Sequence, residues 1–218
     1  MSAIYDKTVD DLQQRALENR RVAVSFSGGK DSLVTLDLCR KAFQEVICFF
    51  MYFIPGLEHI EKQLAYARER WHVEIIQYPH PNLTDNLIGG IYCPNYYKLD
   101  DLMPFKIADI YRLVKKETGA TLIATGSKRS DYYMRMAVQV KDTFLPLKDW
   151  NKFDVMAYLQ RAKIPLPQSS GKATTGVGLA TPSLLWLHDT YPEDFKKLLT
   201  FFPYAEAAVW RRTYYGIE

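Results

Sequence analysis

Eight residues, Ser25-Phe26-Ser27-Gly28-Gly29-Lys30-Asp31-Ser32, bring together the groups that hold an anion. They lie between an apolar run, Val22-Ala23-Val24, and an amphipathic one, Leu33 to Leu38. That order reads as strand, tight glycine loop and helix start. A loop so placed aims backbone N–H groups and the positive end of a helix dipole at one spot, which suits phosphate or sulfate. Gly28 and Gly29 permit backbone angles that other residues resist and carry no side chain to keep an anion away. Ser27 and Ser32 can donate hydroxyl hydrogen bonds, and Lys30 can neutralise phosphate charge. Asp31 can hold a metal ion or cap the helix. A plain turn also favours Ser, Gly and Asp, but here three requirements fall in register.

A second cluster follows the apolar run Thr121-Leu122-Ile123-Ala124. The stretch Gly126-Ser127-Lys128-Arg129-Ser130-Asp131-Tyr132-Tyr133-Met134-Arg135 puts three cations, Lys128, Arg129 and Arg135, within eight residues. Guanidinium forks match the oxygens of phosphate and sulfate. A solvated basic turn is the plainer reading, but a place at a strand end favours anion binding. Phe144-Leu145-Pro146-Leu147-Lys148-Asp149-Trp150 reads as a strand entering a helix, with Asp149 or Asn151 as cap.

The glycine loop is neither a Walker A loop nor the dinucleotide fingerprint, because neither spacing exists in it. The string Ser27 to Ser32 instead resembles the PP-loop of the adenine-nucleotide α-hydrolase superfamily. With Gly126 to Arg135 and Pro146-Leu147-x-Asp149-Trp150, it is similar to the phosphoadenosine phosphosulfate reductase family. The three blocks span about residues 20 to 167. The resemblance implies a doubly wound α/β fold with a mainly parallel sheet, of the ATP pyrophosphatase type, and a ligand that is ATP with Mg²⁺, adenylyl sulfate or its 3′-phosphorylated form. It implies that Ser25, Ser27, Gly28, Gly29, Lys30, Asp31 and Ser32 hold the terminal phosphates or sulfate. Lys128, Arg129 and Arg135 would neutralise other oxygens, and Phe53 and Gly126 would flank the adenine. Lys30, Asp31 and Arg129 would act on the reacting group, with Asp31 as the Mg²⁺ ligand.

The departures from that family carry equal weight. Its reductases use a cysteine near the C-terminus in a Glu-Cys-Gly-x-His setting, and this chain has no cysteine after Cys93. A thiolate is the needed nucleophile at sulfate sulfur. A cubane iron–sulfur cluster needs about four thiolates, and only Cys93 lies in the corresponding region. Neither reduction by this chain nor a cluster is therefore expected. The leading expectation is an enzyme that cleaves ATP to an adenylate and pyrophosphate. The alternatives are a sulfonucleotide enzyme served by a partner's thiol, and a non-catalytic nucleotide sensor or subunit of a nucleic-acid-modifying complex. The acceptor substrate is open. So is a homodimer, common in the family but specified by no residue pattern here.

The elements that must position these groups alternate strand with helix. Strands are expected over Val22–Phe26, Val46–Phe53, Val73–Tyr78 and Thr121–Ala124. Helices are expected over Val9–Leu17 (capped by Thr8), Ser32–Ala42, Leu57–Trp71, Met103–Thr118 and Asn151–Ala162. Such alternation makes a parallel sheet with right-handed crossovers, and its ligands bind at the carboxyl ends of the strands. Gln168 to Gly178 is read as a plain loop rather than a lid. Pro182 to Tyr191 and Pro203 to Arg212 are read as two closing helices. Residues 1–218 are expected to form one domain, with 168–218 as its C-terminal loop and helices.

A chain of 218 residues that is 48% hydrophobic and 24% charged suits a globular domain. A net charge of +3 favours acidic small molecules without arguing for nucleic acid. No apolar run reaches the roughly 20 residues of a membrane helix, and the first residues do not form a signal peptide, so a cytoplasmic setting is expected. Cys39, Cys48 and Cys93 form no Cys-x-x-Cys pair, and Cys39 and Cys48 are read as core residues. Of Cys93's two readings, buried residue outranks acceptor thiol. His59, His72, His80 and His188 lack zinc-ligand spacing. No zinc is expected.

Overall fold

The computed structural model describes residues 3–94, 103–129, 131, 143–167 and 178–216. In chain order its elements are α1 (Ala3–Glu18), β1 (Arg21–Ser25), α2 (Lys30–Ala42), β2 (Glu45–Tyr52), α3 (Glu58–Trp71), β3 (Ile75–Pro79), α4 (Pro81–Ile88), α5 (Ile107–Thr118), β4 (Leu122–Thr125), β5 (Thr143–Phe144), α6 (Lys152–Arg161), α7 (Thr181–Thr190), α8 (Pro192–Phe201), a short 3₁₀ turn (Pro203–Ala205) and α9 (Glu206–Tyr215). The five strands form one sheet in the order β3-β2-β1-β4-β5. β1 pairs in parallel with β2 and with β4, and β4 pairs in parallel with β5. This is the doubly wound α/β plan that the alternation predicts. Packing divides the chain into two compact units. The first holds Met1–Phe50, Tyr66–Gln77 and Ala108–Pro167, and the second Met51–Ala65, Tyr78–Ile107 and Gln168–Glu218.

In the first unit the central strands are apolar on both faces. Val22, Ala23 and Val24 of β1 and Leu122, Ile123 and Ala124 of β4 are all buried, as strands covered by helices on two sides must be. Asp37 fastens three helices there: its carboxylate accepts from Trp71 Nε1 at 2.8 Å, Lys41 Nζ at 2.6 Å and the Tyr158 hydroxyl at 2.6 Å. Burial pushes this carboxyl up, but the three donors outweigh it and hold it below the ordinary value. Cys39 and Cys48 are buried core residues, as expected. α1 begins at Ala3, six residues before the expected Val9, and Thr8 is not its cap. The Thr8 hydroxyl donates back to the Ile4 carbonyl at 2.8 Å and accepts from Trp150 Nε1 at 2.9 Å. Tyr5 packs near Trp150 and Tyr158, so tertiary contacts extend this helix past its local signal. α6 is capped by Asn151, whose side chain accepts from Phe153 and Asp154 in a full capping box.

In the second unit three helices close the chain rather than two. α8 begins with Pro192 as its first residue, and α4 likewise begins with Pro81. Proline suits that place, because the first helical position needs no N–H. Asp194 of α8 reaches the start of α3, accepting the Glu58 N–H at 2.6 Å and the His59 N–H at 3.0 Å. His59 Nδ1 lies 2.7 Å from the same carboxylate, and both side chains are buried. Among the described residues no helix is long and apolar enough to cross a membrane.

Candidate nucleotide site

The site is set by strand register in the first unit. Ser25 ends β1 level with Thr125, the last residue of β4. The glycine loop after β1 and the basic turn after β4 therefore leave the sheet side by side. Gly28 takes φ +72°, in the left-handed region that glycine adopts without strain. Gly29 is the N-cap of α2 and supplies no side-chain cap. The first N–H groups of α2 thus lack a capping side chain and suit an anion.

The two loops touch at Gly126. A Cβ built there would lie 2.9 Å from the carbonyl carbon of Asp31, 3.0 Å from its oxygen and 3.0 Å from the Ser32 nitrogen. Only glycine lets the backbone after β4 approach the start of α2 this closely.

Two lysines converge on Asp31. Lys128 Nζ lies 2.6 Å from Oδ1, and Lys30 Nζ lies 2.5 Å from Oδ2. Lys128 is only 6% exposed, so its charge depends on this partner. Oδ1 is itself buried and receives no well-directed hydrogen bond, which makes its attraction to Lys128 Coulombic. Asp31 does not cap α2; it serves as counter-charge to the lysines.

The serines hold the loop together. Ser27 Oγ donates to Ser32 Oγ at 3.2 Å, Ser32 Oγ donates to the Gly29 carbonyl at 2.9 Å, and the Gly29 N–H points at Ser27 Oγ at 3.4 Å. Their hydroxyl protons are thereby used inside the loop, where the sequence suggests donors to a ligand. At β1's end the Tyr111 hydroxyl bonds to the Ser25 side chain, and burial pushes that phenol up.

A brace that sequence reasoning missed holds the basic turn. The Lys128 N–H donates to Asp131 Oδ2 at 2.7 Å, and the Arg129 N–H donates to the Lys148 carbonyl at 3.0 Å. The Arg129 guanidinium lies 3.1 Å from Asp149 Oδ1, and Lys7 of α1 lies 3.5 Å from Asp149 Oδ2. The Pro-Leu-x-Asp-Trp block is the signal for Asp149, whereas nothing in the sequence singles out Lys7.

The site thus brings together Ser25, Ser27, Gly28, Gly29, Lys30, Asp31, Ser32, Gly126 and Lys128. Arg129 stands beside Lys128 with its side chain 65% exposed. Phe53 belongs to the second unit, where it is buried with its ring parallel to Phe202 at 5.2 Å. Arg135 lies outside the described residues, as do Lys172 and the tyrosine doublets 96–97 and 132–133.

All three cysteines are buried, and burial pushes each thiol up from its ordinary value. None is poised as a thiolate. Among the described residues no three His, Cys, Asp or Glu side chains group as metal ligands. Mg²⁺ in nucleotide sites needs only one or two carboxylates beside the phosphates. Asp31, with a buried oxygen lacking a directed donor, fits that role.

No curated protein matches the chain. The NH3-dependent NAD synthetase from Campylobacter jejuni subsp. jejuni NCTC 11168, solved in complex with the nitrate ion, superposes with a TM-score of 0.55 at 15% identity, covering 99% of this chain and 95% of that one. At that identity the likeness is one of fold. The phosphoadenosine phosphosulfate reductase domain model matches residues 21–178, from the start of β1 past both loops of the site. The chain belongs to the phosphoadenosine phosphosulfate reductase domain family.

Proposed function

We propose that this protein is an adenine-nucleotide-binding enzyme that cleaves ATP between its α- and β-phosphates and activates an acceptor as an adenylate. An acceptor nucleophile attacks the α-phosphorus, the α–β bridging P–O bond breaks, and pyrophosphate leaves with the bond's electron pair. The observation that carries this reading is the convergence of Lys30 and Lys128 on Asp31 at the uncapped start of α2. That arrangement supplies N–H donors and two cations where a leaving pyrophosphate would gather charge. Residues Ser25 to Ser32 cradle the terminal phosphates, Lys128, Arg129 and Arg135 take other oxygens, and Gly126 lies against the adenine. Asp31 would hold Mg²⁺, which neutralises phosphate charge when bound. The protein's part is positioning and electrostatic stabilisation.

A sulfonucleotide ligand is the second reading, and membership of this family favours it. The buried cysteines would then leave the thiol to a partner protein.

The test is chromatography of the nucleotide products after incubation with ATP, Mg²⁺ and a panel of carboxylate, amine and hydroxyl acceptors. AMP or an adenylate with equimolar pyrophosphate, reduced at least tenfold in Arg129→Ala, is expected. ADP as the product, or no turnover with any acceptor, contradicts the reading.

A further inference from the structure

We propose that the second unit carries a ligand site of its own, built on His59, that takes the hydroxyl end of a small neutral alcohol or phenol. The site is independent of the nucleotide reading above. The carboxylate of Asp194 holds the Glu58 N–H at 2.6 Å, the His59 N–H at 3.0 Å and His59 Nδ1 at 2.7 Å. A carboxylate only accepts, so Nδ1 carries a proton and Nε2 of the neutral ring is a lone-pair acceptor. Capping the start of α3 needs the carboxylate alone and makes no use of Nε2. His59 is 4% exposed, and its ring stands edge-on to Trp186 at 5.6 Å and tilted against Tyr191 at 5.2 Å. Nε2 has no hydrogen-bond partner among the described residues. A buried acceptor with no donor costs free energy, and an imidazole so fixed is preorganised to receive one from outside.

His59 lines a cavity together with Phe53, Leu57, Ser183, Trp186 and Leu198. All six residues belong to the second unit. The cavity volume is about 30 Å³, the share of one water molecule, and with its open mouth the free space reaches about 340 Å³. A group the size of one hydroxyl therefore reaches Nε2, and the body of its molecule lies in the wider mouth among apolar walls. Among the described residues no lysine, arginine, aspartate or glutamate lines the cavity, so a charged ligand would enter without a counter-charge. That excludes carboxylates and phosphates, and it excludes alkyl amines, which are protonated at neutral pH. A neutral hydroxyl meets both conditions. Its proton goes to Nε2, and its carbon body covers apolar surface.

The experiment is calorimetric titration of the full chain with phenol, toluene and benzoate near neutral pH, on the wild type, His59→Phe and Leu198→Phe. Phenol is expected to bind about tenfold more tightly than toluene, which strips water from Nε2 and returns no donor, and benzoate is expected not to bind. The nitrogen NMR resonance of His59 Nε2 should shift on adding phenol and stay in place on adding toluene. His59→Phe removes the acceptor and should erase the preference for phenol. It also takes a donor from Asp194, so Leu198→Phe, which fills the cavity and leaves His59 in place, carries the test if His59→Phe does not fold. Phenol should then bind about tenfold more weakly than to the wild type, a loss of the order that one lost contact brings. Equal affinity for phenol and toluene overturns the proposal. So does phenol binding that leaves the Nε2 resonance unmoved or that survives Leu198→Phe in a folded protein. No phenol binding at all marks a pocket for water only and overturns it too. None of these results bears on ATP, so the nucleotide reading stands or falls separately.

Discussion

Lys128 Nζ stands 2.6 Å from Asp31 Oδ1, which ties the third residue beyond β4 to the second residue of α2. The two partners meet because β1 and β4 are neighbours in the sheet, so the segments that follow them leave its same end. Their pairing is buried on the lysine side, so removing the ammonium leaves a carboxylate oxygen without its counter-charge. Lys128→Met is expected to lower stability by about 1–3 kcal/mol, the usual cost of stranding a buried polar group. Denaturant unfolding measures this. A change below about 0.5 kcal/mol would show that Asp31 does not depend on Lys128.

Gly126→Ala tests the close approach of the two loops. The added methyl meets backbone atoms of Asp31 and Ser32 rather than a flexible side-chain end, so the loops must separate. A loss of roughly 1–3 kcal/mol, typical of overpacking, should accompany at least a tenfold weaker affinity for ATP with Mg²⁺. Thermal melts and calorimetry on the same preparation check both. Unchanged affinity would mean that the spacing of the loops does not shape the site.

Asp149→Asn probes the brace on Arg129. Because the Arg129 side chain is mostly exposed, stability should move by less than about 1 kcal/mol. Nucleotide affinity should fall about three- to tenfold as the guanidinium loses its orientation, and Asp149→Glu should restore part of it. A stability loss with intact affinity would make Asp149 a structural residue only.

Acid should act on the second unit through Asp194. Burial pushes this carboxyl up, but the backbone and side-chain hydrogen bonds from His59 and the Glu58 N–H outweigh burial and hold it below the ordinary value. Its folded value thus lies below its unfolded one. The stabilisation is present in full above the unfolded value, near pH 4, and is lost as pH falls through the folded value. Asp194→Ala strands two helix-start N–H groups and should cost roughly 2–4 kcal/mol at pH 7. The gap between wild type and variant should narrow below about pH 4. A gap constant down to pH 2 would contradict the role.

Local signals made much of this structure legible. β1, α2 and β4 follow from short apolar runs bounded by glycine or charge, and the glycine loop and Gly126 follow from residue type and place. The basic turn was legible as a pair of cations, but sequence could not separate Lys128, buried on Asp31, from Arg129, exposed beside Asp149. Adjacent cations look alike until tertiary packing chooses between them. Asp194 capping α3 was invisible for a similar reason, since 136 positions separate it from Glu58. α4 and α8 were not legible, because a proline opens each, and proline ends one element as readily as it begins the next.

Nucleotide binding at this site is tested by calorimetric titration with ATP plus Mg²⁺, adenylyl sulfate and phosphoadenosine phosphosulfate, on the wild type and on Lys128→Met. Saturable binding is expected, tightest for ATP with Mg²⁺, and at least tenfold weaker in a Lys128→Met protein that remains folded. A wild type that binds none of the three, or a Lys128→Met protein that binds ATP as well as the wild type does, would contradict it.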